Sequence, residues 1–370
     1  MSLGPTDQPD ELGAPSQGPV RQAPPATGRN TKGEGKGKGT TIAHIAEQAG
    51  VSIATVSKVL NGKSDISPAT KAHVEQVINA HNYRRRAART PRSNVIELVF
   101  HELDSAWSME IIRAVEMRAA QNNLNVVLSE LGGTFRAPRA LVDSILERNP
   151  LGIILVMAQF DEAHIEQFAS RAIPVVVVDT FGEQPGSIPS VGSNNWGGGF
   201  AATRHLTDLG HTRIAVISGP KKSLNSRARV DGYRSALESA GIAVEKALIR
   251  YGDFYLEGGY AHARELLSAA NPPTAIFAGS DMQALGVMKC AKELGLRVPE
   301  DLSVVGYDNI PLTEWLTTPL TTINQFLPLM GETATDMVLS LAQGEEVRAR
   351  QINLATELVV RASTAPPGLG

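Results

Sequence analysis

The chain carries one cysteine in 370 residues, Cys290, set in a helical apolar pattern. No internal disulfide is possible, a reducing compartment is expected, and the thiol reads as core filler. No apolar run is long enough for a signal peptide or a membrane span, so the protein is expected in the cytoplasm and not in a membrane. G-x-S-x-G is missing, as are paired histidines at helical spacing and a cysteine cluster for metal. The glycine-rich stretch NWGGGF, Asn195 to Phe200, lacks both the Gly-Lys-Ser/Thr sequel of a phosphate loop and the spacing of a dinucleotide fingerprint. Its glycines read as close packing of a crossover helix. His205 and His211, flanking LTDLG, read as helix-end and turn residues rather than bases or ligands. These absences argue against an enzyme, a metal and a cofactor; carboxylate pairs for acid and base chemistry stay open at this stage.

Net charge is also lacking, at a formal -3, but its distribution is uneven. Arg29 to Arg92 holds twelve Lys or Arg against four Asp or Glu, a local net of +8, while Ser93 to Gly370 holds 22 against 31, a net of -9. A small basic module on an acidic body is the pattern expected when one part attracts phosphates and the rest stays soluble. Residues 1–40 are rich in Pro, Gly, Ser, Thr and Gln and are expected to be disordered.

Within the basic module, Thr41 to Asn61 reads TIAHIAEQAGVSIATVSKVLN. Ile42, Ile45, Ala46 and Ala49 recur at helical spacing, Gly50 permits a tight turn, and Val51, Val56, Val59 and Leu60 continue the buried face. Ser52 stands at the N-cap of a second helix, Ile53 to Leu60, whose N-terminus can approach phosphate. Ile53, Ala54, Thr55, Ser57 and Lys58 are left outward: Lys58 suits guanine O6 and N7, Thr55 and Ser57 suit bases or phosphate, and Ile53 or Ala54 suits a thymine methyl. The plainer alternative is a helical hairpin whose exposed face is merely solvated. Ser67-Pro68 opens a third helix to about His81, with Val74, Val77 and Ile78 inward. Tyr83 to Ser93, YRRRAARTPRS, then reads either as a solvated tether or as an arginine arm laid along the backbone or minor groove; its position beside the two helices favours the arm.

From Val95 to Tyr307 short apolar runs alternate with amphipathic helices, the rhythm of parallel βαβ units. The strands are expected at Val95 to Phe100, Asn125 to Leu128, Gly152 to Met157, Val175 to Val178, Ile214 to Ser218, Ala247 to Tyr251, Ala275 to Ala278 and Leu302 to Tyr307. There are too many units for one ordinary sheet, so the expectation is α/β with two similar doubly wound lobes and a ligand cleft outside the carboxyl ends of the strands. Asp179, Ser280, Asp281, Asp308 and Asn309 fall at those ends. Arg229, near the start of a helix, can offer a donor fork, and Phe254 and Trp107 can stack on the apolar face of a sugar, where a purine would also stack. Each has a purely structural alternative as turn residue, cap or core.

Six blocks in order carry a resemblance: IAEQAGVSIATVSKVLN, NNWGGGFAATRHLTDLGHTRIAVISGP, SRARVDGYRSALESAGI, SDMQALGVMKCAKELGLRVPEDLSVVGYDN, PLTTINQ and ELVVRAST. Over about Thr41 to Thr364 the chain resembles the LacI/GalR (lactose/galactose repressor) family of bacterial transcription regulators. The resemblance implies a helix-turn-helix head, a hinge, a two-lobed domain resembling periplasmic sugar-binding proteins, and a homodimer on near-palindromic double-stranded operator DNA. It puts DNA contacts on Ile53, Ala54, Thr55, Ser57, Lys58 and Asn61, with Ser67 and Thr70 on phosphates. It puts effector contacts on Trp107, Asp179, Arg229, Phe254, Asp281, Asp308 and Gln325, for a small polar ligand of the mono- or oligosaccharide kind. One departure concerns the hinge. Family members follow the tyrosine matching Tyr83 with Pro-Asn and a leucine-bearing helix, whereas here Arg84, Arg85 and Arg86 follow and no leucine lies before Ser93. Arginines such as these, Arg89 or Arg92 are expected to read groove shape instead. The end of the chain carries no apolar heptad, so a dimer is expected rather than a tetramer.

The domain expectation is a disordered extension over 1–40, the head over 41–83, an arginine-rich hinge over 84–94, the two-lobed effector and dimerisation domain over 95–364, and a disordered tail over 365–370. The rival readings are a sugar-binding transport-type protein and an α/β enzyme with an appended DNA-binding head.

Overall fold

The computed structural model describes residues 41–60, 66–81, 92–103, 105–180, 182, 188–347 and 349–368. They fall into two compact units, Met1–Arg86 and Ala87–Gly370. The expected extension over 1–40, together with Asn61, Tyr83, Arg84, Arg85, Arg86 and Arg89, lies outside the described residues.

The first unit holds α1 (Ile42–Gln48), α2 (Ile53–Leu60) and α3 (Pro68–Ala80). Ile45, Ala46, Ala49, Val56, Val59 and Val74 form its core, with Ile42, Val51, Ile66, Val77 and Ile78 packed around them. Ala46 is buried where a larger side chain would push the helices apart. The chain turns between α1 and α2 at Gly50, whose φ of +62° is a conformation glycine adopts without strain.

The second unit repeats one architecture. Its first lobe has a six-stranded sheet ordered β11-β5-β4-β3-β1-β2, from β1 (Val95–Phe100), β2 (Asn125–Glu130), β3 (Gly152–Val156), β4 (Val175–Val178), β5 (Ser190–Ser193) and β11 (Gln351–Leu354). The second lobe has the order β12-β10-β9-β8-β6-β7, from β6 (Ile214–Ser218), β7 (Ile249–Tyr251), β8 (Ala275–Ala278), β9 (Ser303–Asp308), β10 (Thr321–Asn324) and β12 (Glu357–Val359). Neighbours run parallel except β10 with β12. The central strands are buried throughout because helices cover both faces, which is why they read as unbroken apolar runs.

In the first lobe one face is covered by α4 (Ala106–Gln121) and α11 (Leu327–Gln343), the other by α5 (Arg139–Arg148) and α6 (Glu162–Ser170). Arg118 ties α4 to α11 through Asp336, with Nε and a terminal nitrogen donating to the two carboxylate oxygens at 2.7 and 3.1 Å. In the second lobe α7 (Asn195–Asp208) and α8 (Leu224–Ser239) cover one face, and α9 (Leu256–Leu267) and α10 (Asp281–Glu293) the other. The glycines of NWGGGF serve the packing: a Cβ on Gly199 would overlap the backbone of Arg229, so α7 and α8 cross backbone to backbone.

The chain passes between lobes three times, from β5 to α7, from β10 to α11, and from β11 to β12. The strand-and-helix rhythm read from the sequence stops at β9 and misses α11, although Leu327, Met330, Ala334, Met337, Val338 and Leu341 recur at helical spacing. The strand expected at Ala247 begins at Ile249, because Lys246–Leu248 forms a 3-10 turn.

Three expectations are corrected. Arg92 is not part of a free arm: its guanidinium donates to the Ala342 carbonyl at 3.0 Å and to the Ala172 carbonyl, fastening the chain to the first lobe. The tail is not loose over 365–368, since Ala365 donates to the Ser303 hydroxyl at 3.0 Å and its carbonyl lies 2.9 Å from His211 Nε2. His211 is more than a turn residue. It is 2% exposed, its Nδ1 meets the Thr274 hydroxyl at 2.8 Å, and burial lowers its pKa, so it holds β6, β8 and the C-terminal segment together as a neutral ring.

Candidate functional site

Two sites emerge, one in each unit. In the head, Ser52 caps α2 by accepting from the Thr55 N–H at 3.1 Å, and the two hydroxyls lie 2.9 Å apart. Ser67 and Thr70 repeat the arrangement at the start of α3, with the N–H to hydroxyl bond at 3.2 Å and the hydroxyls 2.8 Å apart. Each pair leaves hydroxyl oxygens at an exposed helix N-terminus, where an anion is favoured. Ile53, Ala54 and Lys58 are exposed and Thr55 and Ser57 half-buried, while Val56 and Val59 point into the core. Ile53 is 52% exposed, an apolar side chain at the leading end of α2 that the head itself does not cover. Val56 and Val59 orient α2 by packing into the core, which turns Ile53, Ala54 and Lys58 outward.

In the second unit a cavity of about 310 Å³ lies between the lobes. Of the seven effector residues expected, Trp107, Asp179, Arg229, Phe254 and Asp308 line it, and Asp281 and Gln325 do not. Asp179 follows β4 with φ +48° and Asp308 ends β9 with φ +124°, so both strand ends turn sharply and present their carboxylates to the gap. Arg229 lies in α8, capped by Ser223, and is 3% exposed. Its Nε donates to Asn195 Oδ1 at 2.7 Å, one terminal nitrogen donates to the Gly279 carbonyl and the other to Gln325 Oε1 at 3.5 Å. Its guanidinium lies 3.7 Å from the Tyr307 ring centroid and 5.3 Å from that of Phe254.

Gln325 is the buried organiser behind this wall. Its Oε1 accepts from the Ser193 hydroxyl at 2.7 Å, and its Nε2 donates to Asp308 Oδ1 at 2.5 Å. Ser193 lies at the first passage between lobes and Gln325 at the second, so one network links the hinge to the cavity floor. Asp281 is fully buried beneath the floor: the Ile310 N–H donates to one oxygen at 2.9 Å and the Thr322 hydroxyl to the other at 2.5 Å. Its neighbour Ser280 lines the cavity instead, capping α10 and donating to the Phe254 carbonyl at 2.7 Å.

The carboxylates are held above their ordinary range. Burial pushes Asp179 up to about 6, against the opposing pull of Arg229 and the Ser193 N–H. Burial likewise raises Asp308, against Arg229 and Gln325, and raises Asp281, with the charge of Asp308 adding to it. One oxygen of Asp179, Oδ1, is buried without a hydrogen-bond partner while the residue faces the cavity. A buried acceptor left open in a cavity wall calls for a donor from a ligand.

Further lining residues were not identified from the sequence: His101, Glu102, Phe135, Asn225, Asp253 and Tyr255. His101 and Glu102 directly follow β1, so the strand-end rule applied to that strand would have found them. Phe135 stacks on His101 at 3.8 Å from a loop with no regular pattern to mark it.

Residues 41–86 match the family described as bacterial regulatory proteins, lacI family, and residues 203–364 match the periplasmic binding protein-like domain. A relative in Shigella dysenteriae serotype 1 (strain Sd197), the HTH-type transcriptional repressor PurR, is 32% identical over 332 residues, covering 88% of this chain and 97% of that protein. Among solved structures, the complex of the transcriptional regulator CelR with cellobiose aligns at a TM-score of 0.67 and 31% identity over 88% of this chain and 99% of that one. The lac repressor dimer bound to operator and the anti-inducer ONPF aligns at 0.64 and 31% identity over 89% and 100%. A LacI family transcriptional regulator from Enterococcus faecium with bound ribose aligns at 0.66 and 28% identity over 74% and 99%.

Proposed function

As the chain belongs to the lacI family of bacterial regulatory proteins, we propose that it is a DNA-binding transcriptional repressor whose hold on its operator is set by a sugar bound between the two lobes. It is a regulator and not an enzyme, as its relatives are. The observation that carries the reading is the pairing in one chain of a three-helix head, with Ile53 and Ala54 exposed at the start of α2, and an interlobe cavity with an open buried acceptor. Ser52, Ile53, Ala54, Thr55, Ser57, Lys58 and Asn61 are proposed to meet the major groove, Ser67 and Thr70 the phosphates, and Tyr83, Arg84, Arg85, Arg86 and Arg89 the backbone or minor groove. The head is taken as 41–83, the hinge as 84–94 and the sensor as 95–364.

The effector is proposed to rest against Phe254 and Trp107 and to donate hydroxyls to Asp179 and Asp308, with Arg229 holding the wall in place. Gln325 acts behind Asp308, and Asp281 props the turn that carries Ser280. The relatives support a sugar: their names include cellobiose and ribose complexes. They also support a dimer on operator DNA. A ligand that binds one lobe arrangement better than another shifts the population toward it, and an operator with two half-sites is sensitive to that shift. No described helix is long and apolar enough to cross a membrane, and the cytoplasm, where the operator is, is the proposed location. Footprinting on the DNA beside its own gene, repeated with a panel of saccharides, tests the reading: a protected near-palindrome whose occupancy one saccharide alters is the expected result. No preference for any duplex over random competitor would end it.

A further inference from the structure

The cavity is acidic in a way that sorts ligands by charge. Glu102, Asp179, Asp253 and Asp308 line it, and Arg229 is the one lysine or arginine among the described lining residues. Each of the three guanidinium nitrogens of Arg229 already donates one N–H to the protein, which holds the fork against Asn195, Gly279 and Gln325 and leaves two of its five N–H groups for a ligand. Glu102 is placed by a bond across the cleft. It follows β1 of the first lobe, and its Oε2 accepts from the hydroxyl of Tyr255, the N-cap of α9 in the second lobe. Tyr255 is set in turn by its N–H, which donates to Asp253 Oδ1 at 2.9 Å. His101 Nε2 lies 4.0 Å from Glu102 Oε1, on the same wall, with its ring against Phe135. Deeper in, the unpartnered Oδ1 of Asp179 accepts and cannot donate when ionised.

We propose that Glu102 is a specificity-determining residue of this cavity: latched to Tyr255 across the cleft, it fixes a carboxylate in the wall and restricts the effector to uncharged, hydroxyl-bearing molecules, excluding phosphate esters and carboxylates. The inference rests on the cavity being the effector site. Its physical basis is that a phosphate brought into the cavity meets the half-buried carboxylate of Glu102 at short range, where water screens the repulsion less than in bulk, whereas a hydroxyl brings a donor to the same oxygens. The latch also joins the two lobes, so it stabilises this lobe arrangement independently of charge.

The test uses the full chain, isothermal titration at neutral pH, and neutral mono- and disaccharides, ribose and cellobiose among them, each paired with its phosphate monoester. A neutral sugar is expected to bind at least about a hundredfold more tightly than its ester, the scale of like-charge juxtaposition in a desolvated site. Glu102→Gln keeps an acceptor for Tyr255 and removes the charge, and is expected to narrow that ratio about tenfold. Glu102→Asp keeps the charge and is expected to keep the discrimination. Tyr255→Phe is expected to weaken neutral sugars by about tenfold and leave the ratio unchanged. The proposal is overturned by an ester that binds as tightly as its parent sugar, by an unchanged ratio in Glu102→Gln, or by the failure of every neutral sugar to bind. Operator binding, measured on the same preparations, reports separately on the regulator reading: its loss would sink that reading whatever the sugar ratio is.

Discussion

Gln325 donates from Nε2 to Asp308 Oδ1 at 2.5 Å, with both residues buried and Gln325 on the second passage between the lobes. A cavity carboxylate is thus positioned by a residue of the hinge. Gln325→Leu removes this donor and the acceptor shared by the Ser193 hydroxyl and an Arg229 terminal nitrogen, leaving three buried polar groups short of a partner. The expected cost is about 2–4 kcal/mol of stability, measurable by urea unfolding, with effector affinity weakened about tenfold. Gln325→Glu sets a second carboxylate against Asp308 and is expected to be worse than leucine for effector binding at neutral pH.

The raised carboxylates make a pH prediction with a definite sign. In the unliganded fold the ionised form of Asp179 is penalised, so stability from this group declines as pH rises from 3.8 through about 6. A hydroxyl that donates to Asp179 Oδ1 favours the ionised form, lowers its pKa and expels a proton. Effector affinity is therefore expected to weaken as pH falls toward and below about 6, approaching about tenfold per pH unit for the proton of Asp179, with Asp308, raised by burial in the same way, adding to the loss. Titrations in buffers of different ionisation enthalpy check it: an apparent enthalpy independent of buffer would contradict proton release.

Glu97 sits fully buried in the middle of β1, and Arg148 donates to both its oxygens at 3.0 and 2.8 Å, with the Ser129 hydroxyl adding a third bond at 2.7 Å. Arg148→Ala leaves that charge uncompensated and is expected to cost about 3–5 kcal/mol in urea unfolding. Replacing both residues by leucine is expected to recover most of the loss, because the apolar pair has no charge to desolvate.

Salt dependence of operator binding separates two kinds of arginine. Changing Arg84, Arg85 and Arg86 to glutamine is expected to reduce the slope of log affinity against log salt by roughly 0.9 for each phosphate that the arm no longer neutralises. Arg92→Gln is expected to leave the slope unchanged and lower the melting temperature, since that side chain is engaged by the Ala342 and Ala172 carbonyls.

Much of the fold is legible in the sequence, for local reasons. The helices of the head declare themselves by apolar spacing, a glycine and serine caps, all within twenty residues or so of one another. The central strands are runs such as VVVV at 175–178, buried on both faces and hence unbroken. β10, β11 and β12 leave no such mark because they are short and mixed in polarity, and β11 is paired only through β5, which lies far back in the chain. The choice of Asp281 over Ser280 fails differently. The turn after β8 is recognisable, but which of two adjacent side chains faces the gap depends on the direction of α10, and that is set by packing elsewhere. Glu102 and Tyr255 meet only because two lobes do, a juxtaposition no window of sequence contains.

The three passages between lobes bear on how the protein is made. The first lobe's sheet is completed by β11, and one face of its core is covered by α11, both drawn from residues 327–354. During synthesis α4 can cover β1 and β2 at once, but β3 to β5 leave the ribosome with that face bare until the second lobe has almost entirely followed. A nascent chain halted after β9 would present Ile154, Val176, Val178 and Val191, the residues of β3 to β5 that α11 covers, to solvent, an apolar surface for chaperones to hold. Neither lobe can be expressed by cutting the gene once; each is stitched from distant stretches, and the sensor matures as a whole.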